Sequence, residues 1–454
     1  MRLADFASKR VAVWGYGREG RAAVAALRQD FPKLPITLFC SPAEALSLVL
    51  PNGIEVIAAP PDVAALSAFD VVVKSPGISP YKTPYPEAEN AGVRFTSASA
   101  IWFAEHPDAQ TICVTGTKGK STVTALIAHL LRHAGLRVAL AGNIGMPLLE
   151  LLRPAIAPDW WVIELSSFQT RDFAGQPTVA LINNLYEEHL DWHATRANYA
   201  ADKLAIAAHA RYVVVNAQQP ELAKLARAEN RSAFNALEGW HLQGDAIFRG
   251  AERLLPLDQI PLPGLHNAQN VCAALAAIDA AGFDARRLTP SVRMFKPLPH
   301  RLQTLGERAG IVYVNDSIST TPYATIEALR SLPIRRVSVL VGGFDRGVDW
   351  QPFVDYVANY TPHAIVTMGA NGAAIAHALS TIAQPGFEWV SATSLADALA
   401  RAHALTPSGG WILLSPGAPS FDQFHDYAER GREFARLAGF EPAAIEQIDG
   451  LGIA

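Results

Sequence analysis

Short apolar runs alternate with helical spacing along almost the whole chain. VAVW at 11–14, ITLFC at 36–40 and DVVVK at 70–74 read as strands, as do TICVT at 111–115, WWVIE at 160–164, VALINN at 179–184 and YVVVN at 212–216. IVYVN at 311–315, VSVLV at 337–341, AIVTM at 364–368 and WILLS at 411–415 continue the pattern. Between them, apolar residues recur every three to four positions, as on one face of a helix. Such alternation predicts an α/β fold of mostly parallel sheets with crossover helices. The runs separate into three sets, so three domains are expected, over residues 1–106, 107–295 and 296–454. The polar stretch AEHPDAQ divides the first two. KPLPHR divides the last two, because its prolines disfavour helix. WHLQGDAIFRG reads as a hairpin inserted between about 230 and 262, and a helix follows LPGLHN.

Bulk properties narrow the function class. With 454 residues, half of them hydrophobic, the chain exceeds what one core usually holds. A net charge of −4 without a basic stripe argues against a nucleic-acid partner. Cys40, Cys113 and Cys272 are too scattered for a disulfide framework or a metal cluster, which suits a reducing cytoplasm. The N-terminus MRLADFASKR carries charge where a signal peptide needs an apolar run, and no apolar stretch is long enough to span a bilayer, so no membrane association is expected.

The strongest chemical signal is TICVTGTKGKSTVTALIAHLLRHAG. A strand ends at Thr115, a turn with Gly116, Thr117, Lys118 and Gly119 follows, and an amphipathic helix starts at Lys120. This geometry aims backbone N–H groups and a helix N-terminus at phosphate oxygens. Lys120 is placed to reach the β- and γ-phosphates and Ser121 to offer a hydroxyl to Mg²⁺, with Thr122 beside it. Val114 stands where the common phosphate-loop pattern has its first Gly, so this is a variant of it. A second Gly-rich turn, VWGYGREG, carries Gly15, Gly17 and Gly20 after the first strand. A dinucleotide site would need an acidic residue at the end of the next strand, where Phe39, Cys40 and Ser41 stand instead. Two readings stay open: a packing turn, or a grip on a different nucleotide diphosphate shared with SPGIS at 75–79. In the middle region, Glu164 ends an apolar strand downstream of the phosphate loop, a natural place for a Mg²⁺ ligand. NNLYEEHLDWH gathers Glu187, Glu188, His189, Asp191 and His193. Lys203, in NYAADKLAI, reads as an ordinary surface lysine. No Ser–His or Cys–His pair reads as a nucleophile with its base.

GTKGKST, GNIG, ELSSFQ, EEHLDWH with a downstream lysine, LPGLHNAQN, PHR, VNDSISTTP and SPGAPSFDQF occur in this order over nearly the whole chain. Together they resemble the Mur ligases, most closely the branch that adds glutamate to UDP-N-acetylmuramoyl-L-alanine. The resemblance implies a Rossmann-like N-terminal domain for the UDP precursor, a central P-loop ATPase-like domain and a Rossmann-like C-terminal domain for the amino acid. It implies that Arg18, Glu19, Ser75 and Gly77 lie near the UDP, and that Asn143, Ser166, Gln169 and His189 line the muramoyl-alanine path. Lys120, Ser121 and Glu164 would serve phosphates and Mg²⁺, and His189 with a carbamylated Lys203 a second Mg²⁺. Asn267 and Asn270 match nucleotide-side asparagines, and Arg301 and Asp316 match residues that close over ATP. Thr320, Arg346, Ser420, Phe421 and Tyr427 align with the amino-acid pocket.

Several positions depart from that pattern. Lys118 replaces a common Asn, Glu188 an Asp, Ile318 and Arg346 two lysines, Tyr427 a Phe, and SPGAPS the usual SPACAS. The later departures cluster in the amino-acid pocket and resemble the less common enzymes that add L-glutamate rather than D-glutamate. The implied reaction is ATP-dependent amide formation through an acyl phosphate, carried out by a cytoplasmic monomer. The alternatives are the same reaction with D-glutamate, a folylpolyglutamate synthase-like ligase, a nucleotide-binding regulator without turnover, and an NAD-dependent oxidoreductase.

Overall fold

Val11–Trp14 (β1), Ile36–Phe39 (β2), Ile54–Ile57 (β3), Val71–Lys74 (β4) and Arg94–Thr96 (β5) form a five-stranded sheet in the order β3-β2-β1-β4-β5, every pair parallel. This is seen in a computed structural model that describes residues 1–46, 48, 50, 53–225 and 230–454. All of β2 and β4 is buried. Strands covered on both faces need apolar residues at every position, which is why they read as continuous runs. The strand order reverses between β1 and β4, so the loops after these strands open beside each other. The Ser75 hydroxyl accordingly donates to Gly15 O at 3.0 Å.

The second sheet contains Thr111–Thr115 (β6), Val138–Gly142 (β7), Trp160–Glu164 (β8), Val179–Ile182 (β9), Tyr212–Asn216 (β10) and Arg231–Phe234 (β11). Their order is β11-β10-β9-β6-β8-β7, all parallel. The expected hairpin insertion is larger than a hairpin. Trp240–Gln243 (β12), Ala246–Arg249 (β13) and Glu252–Pro256 (β14) make a three-stranded antiparallel sheet. The third parallel set comprises Gln303–Arg308 (β15), Ile311–Asn315 (β16), Val337–Val341 (β17), Ala364–Thr367 (β18), Glu388–Ser391 (β19) and Trp411–Leu414 (β20). Its order is β15-β16-β20-β17-β18-β19, with only β15 antiparallel. Gly452–Ile453 (β21) returns to pair antiparallel with β7.

The chain divides into two compact units, one of residues 1–259, 269–293 and 450–454, the other of 260–268 and 294–449. In the first unit a single buried cluster runs from the first sheet into the second. Trp102, wholly buried on the Ala98–Glu105 helix, meets Trp161 of β8 edge-on at 4.6 Å. The second unit has its own cores on the two faces of the six-stranded sheet, around Phe353 and Phe434. Among the described residues, no helix is long and apolar enough to cross a membrane.

Candidate active site

The phosphate loop is built by β6, every residue of which is buried, and by the Lys120–His133 helix. Gly119 sits between them with φ +77°, and an added Cβ would lie 2.4 Å from Asn270 Oδ1 and 2.7 Å from Asn183 Nδ2. Only glycine fits there, on both backbone and steric grounds. Asn270 is therefore packed directly on the loop, where its Oδ1 accepts from Asn183 Nδ2 at 2.9 Å. Asn184 braces the same turn, its Oδ1 accepting from the amides of Thr117 and Lys118 at 3.0 and 2.7 Å. Lys120 Nζ curls back to donate to Thr117 O at 3.0 Å. Ser121 is buried at the first turn of the helix.

The ends of β8 and β9 and the Arg196–Leu204 helix bring the acidic and basic groups to this loop. Glu164 is 1 % exposed. Its Oε1 accepts from Asn143 Nδ2 at 2.7 Å, while its Oε2 is buried without a hydrogen-bond partner. An anionic oxygen left so is suited to a hard divalent cation. Glu188 pairs with Lys118 at 2.8 Å. Burial pushes its carboxyl up, but the Lys118 hydrogen bond and the charges of Lys118, His189 and Lys120 bring the net shift down. His189, partly exposed, is pushed down by burial, opposed by Glu188 and reinforced by Lys120.

Lys203 is not the surface residue its helical pattern suggested: it is 1 % exposed and donates to Gly116 O at 3.0 Å. Burial first, and the Lys120 charge second, push its ammonium down to about 7. Tyr199, on the same helix, bonds Thr117 Oγ1 at 2.6 Å.

The GYGREG turn reaches this region from the first sheet. A Cβ on Gly20 would lie 2.1 Å from Gly15 O, so the glycine permits close helix–strand packing. Arg18 Nη1 donates to Gly145 O at 3.1 Å, and Glu19 Oε1 accepts from Gln169 Nε2 at 3.0 Å. Burial pushes the Glu19 carboxyl up to about 7, against the Gln169 hydrogen bond and the Arg18 charge and with the help of Glu150. Ser166 caps the Ser167–Arg171 helix and shares a capping box with Gln169. Glu19, Gln169 and Ser166 are thus joined by hydrogen bonds, as are Asn143 and Glu164, and Arg18 reaches the turn that follows Asn143. Ser75 meets Gly15, and Gly77 O accepts from Trp192 Nε1 at 3.0 Å.

The remaining expected residues belong to the second unit. Asp316, Arg346 and Ser420 follow β16, β17 and β20, three neighbouring parallel strands whose loops therefore open together. Asp316 is buried and accepts from Leu302 N at 3.1 Å, from Ser415 at 2.8 Å and from Ser319. Burial lifts its carboxyl to about 6 despite these bonds and the Arg301 charge. Thr320 is half-buried, Arg346 is exposed and Ser420 is buried. Phe421 and Tyr427 are 60 % and 40 % exposed. Asn267 Nδ2 donates to Pro263 O at 2.7 Å.

Sequence reasoning missed four groups. Asn183 and Asn184 had only their place after β9 to announce them. Tyr199 gave no signal. Arg430 is 2 % exposed and holds Ser317 O at 2.8 Å and Ala418 O at 3.0 Å, fixing two of the loops just described. Sequence reasoning also did not foresee that Ser167, His193 and Asp202 are hydrogen-bonded in succession. Residues 26 and 9 positions apart gave no local pattern to read.

Residues 114–278 match the model of the Mur ligase middle domain. Over 467 aligned residues the chain is 50 % identical to the UDP-N-acetylmuramoyl-L-alanine--L-glutamate ligase of Xanthomonas campestris pv. campestris, with all of both chains covered. The enzyme of that name from Xylella fastidiosa is 51 % identical over 468 residues, again with full coverage of both. The one from Salinispora tropica is 38 % identical over 96 % of this chain and 98 % of its own. Among solved structures, UDP-N-acetylmuramate-alanine ligase from Thermotoga maritima shares the fold with a TM-score of 0.60 at 18 % identity, covering 95 % of this chain and 99 % of that one. A MurF ligase from Thermotoga maritima, solved with ADP, gives 0.56 at 14 % identity, covering 96 % of each.

Proposed function

This chain belongs to the Mur ligase family, and on that premise we propose that it joins L-glutamate to UDP-N-acetylmuramoyl-L-alanine in the cytoplasm. It is an ATP-dependent, amide-forming ligase of peptidoglycan precursor synthesis. We assign the precursor to residues 1–106, ATP to 107–295 and the amino acid to 296–454. The observation that carries the reading is the cluster at the ends of β6, β8 and β9. There a phosphate loop, a buried carboxylate oxygen without a partner and a buried lysine face one another.

The alanyl carboxylate attacks the γ-phosphorus of ATP, and ADP leaves. The glutamate amine then attacks the acyl phosphate, and phosphate leaves through a tetrahedral intermediate. No protein nucleophile is needed. Lys120 neutralises charge on the transferred phosphoryl group, and the loop amides and the glycine turn orient it. Bound Mg²⁺ supplies further charge neutralisation. Glu164 Oε2 and the Ser121 hydroxyl would hold one ion, and His189 with a carbamylated Lys203 a second. The donors fit. Oε2 has no other partner, and near pH 7 a large fraction of Lys203 is the neutral amine that reacts with CO₂. The carbamate oxygen suits a hard cation, as the amine does not. Among the described residues, no three His, Cys, Asp or Glu side chains are placed to share a metal. Phosphate oxygens and water would complete such shells.

The preference for L-glutamate is supported by the names of full-length relatives at 50 % identity and by Arg346, a planar fork where a point charge is common in the family. The deciding experiment is phosphate release from ATP with UDP-muramoyl-alanine and each glutamate enantiomer. A higher kcat/KM for the L form is expected. A clear preference for the D form overturns the enantiomer and leaves the family intact. ATP hydrolysis that ignores the precursor overturns the acceptor.

A further inference from the structure

The segment after β4 is tied into the second sheet entirely within the first unit. Lys74, with its side chain fully buried, pairs with Asp172 at 2.6 Å. Trp192 Nε1 donates to Gly77 O at 3.0 Å, and Ser79 Oγ donates to Trp192 O at 2.5 Å. Tyr81 OH lies 2.9 Å from both carboxylate oxygens of Asp202. Asp202 also meets His193 Nδ1 at 2.7 Å and Arg171 Nε at 3.4 Å. His193 Nε2 then meets Ser167 Oγ at 3.0 Å.

Ser167, His193 and Asp202 are 4 %, 0 % and 5 % exposed. A carboxylate facing Nδ1 fixes the proton there, which leaves Nε2 as acceptor for the Ser167 hydroxyl. Every member is satisfied by the next, as a buried polar chain must be to avoid a desolvation penalty. Packing alone would be met by apolar residues of similar size, so the chain of polar groups asks for a further role. With its hydroxyl committed to His193, Ser167 orients rather than attacks.

The endpoints of the chain suggest that role. Asp202 and Lys203 are neighbours on the Arg196–Leu204 helix, so their side chains diverge by about 100°. On one side that helix holds the phosphate loop, through Lys203 to Gly116 O at 3.0 Å and Tyr199 to Thr117 at 2.6 Å. On the other, Asp202 holds Tyr81 and His193. Ser167 opens the turn whose Gln169 reaches Glu19 at 3.0 Å. The loop after β4, the phosphate loop and the Ser166–Gln169 turn are therefore fixed to one helix, the first and the last through Asp202 and the phosphate loop through Lys203 and Tyr199.

We propose that Tyr81, Asp202, His193 and Ser167 form a positioning relay, which couples seating of the precursor on the loop after β4 to placement of Lys203 and the Ser166–Gln169 turn for phosphoryl transfer. The relay rests on the ligase reading above. None of its members belongs to the phosphate loop or to the groups assigned above to phosphate and Mg²⁺, so they are positioning residues. A misplacement of about 1 Å at a reacting centre lowers a rate by on the order of a hundred-fold.

The test uses the full-length Tyr81→Phe protein, with Asp202→Asn as a second variant. Phe keeps the ring and removes only the hydroxyl. We expect kcat for precursor- and glutamate-dependent phosphate release to fall by roughly ten- to a hundred-fold. KM for ATP stays within about two-fold, because the phosphate loop keeps its own contacts. Both values are read per folded molecule, from an unfolding curve on the same preparation. Undiminished kcat in both variants, with or without lost stability, overturns the relay. So does a rise in KM for ATP that accounts for the whole loss. Wild-type protein is the control: if it fails to turn over with precursor and glutamate, the ligase reading itself falls.

Discussion

Lys203→Met should make the unliganded protein more stable at pH 7 while abolishing ligation. An ordinary lysine ionises near 10.5, and Lys203 is pushed down to about 7, chiefly by burial and then by Lys120. Because each pH unit corresponds to about 1.4 kcal/mol, holding the ammonium form in this site at pH 7 destabilises the fold by up to roughly 5 kcal/mol. The hydrogen bond from Nζ to Gly116 O, 3.0 Å long, returns about 1.5–3 kcal/mol when the donor is charged. A methionine of similar length, which fills irregular space, should therefore gain roughly 2–4 kcal/mol over the unmodified lysine.

The sign follows from proton counting. Between about 7 and 10.5 the unfolded chain binds the proton that folded Lys203 has released, so wild-type stability rises with pH across that window. The destabilisation is fully present below about 7 and gone above 10.5. Urea unfolding of both proteins at a series of pH values, in buffer stripped of CO₂, measures this. The two curves should converge as pH rises, and added bicarbonate should stabilise only the wild type. A variant that is less stable than wild type at pH 7, with a parallel pH profile, would refute the argument that Lys203 is held there against its own desolvation.

Three further outcomes follow from the same geometry. Gly119→Ala should abolish nucleotide binding, since its Cβ would lie 2.4 Å from Asn270 Oδ1 at a backbone φ of +77°. ADP titration by calorimetry checks it, and wild-type affinity would remove Asn270 from the loop. Glu164→Gln should raise the Mg²⁺ concentration for half-maximal rate by about ten-fold or more, because an anionic oxygen is replaced. An unchanged Mg²⁺ dependence would take Glu164 out of the metal site. Glu19, raised to about 7 mainly by burial, should make KM for the UDP precursor climb as pH rises through 7, where the ionised carboxylate opposes a pyrophosphate. Glu19→Gln should flatten that profile, and a wild-type KM indifferent to pH would show that Glu19 does not face the precursor.

What the sequence determined by itself is what neighbouring residues decide. Continuous apolar runs such as VVV before Lys74 announce strands buried on both faces. Glycine spacing announced the turns after β1 and β6, because a backbone that must approach another closely, or adopt positive φ, has few choices of residue. Lys120 and Glu164 could be read because each sits at the end of such an element. What only the tertiary structure decided is which distant groups meet and how far each is buried. Lys203 looked like a surface residue since the spacing along a helix does not say what covers its face. Burial beneath the phosphate loop turns it into an amine that loses its proton near neutrality. Asp202, His193 and Ser167 carried no mutual signal, their pairing being made by the packing of separate helices. The return of Gly452–Ile453 to the edge of β7, and the growth of the expected hairpin into β12–β14, likewise depend on partners far along the chain or on a free sheet edge. Local chemistry fixes the elements, whereas long-range packing sets their neighbours, and with them the charge state and orientation on which a reaction depends.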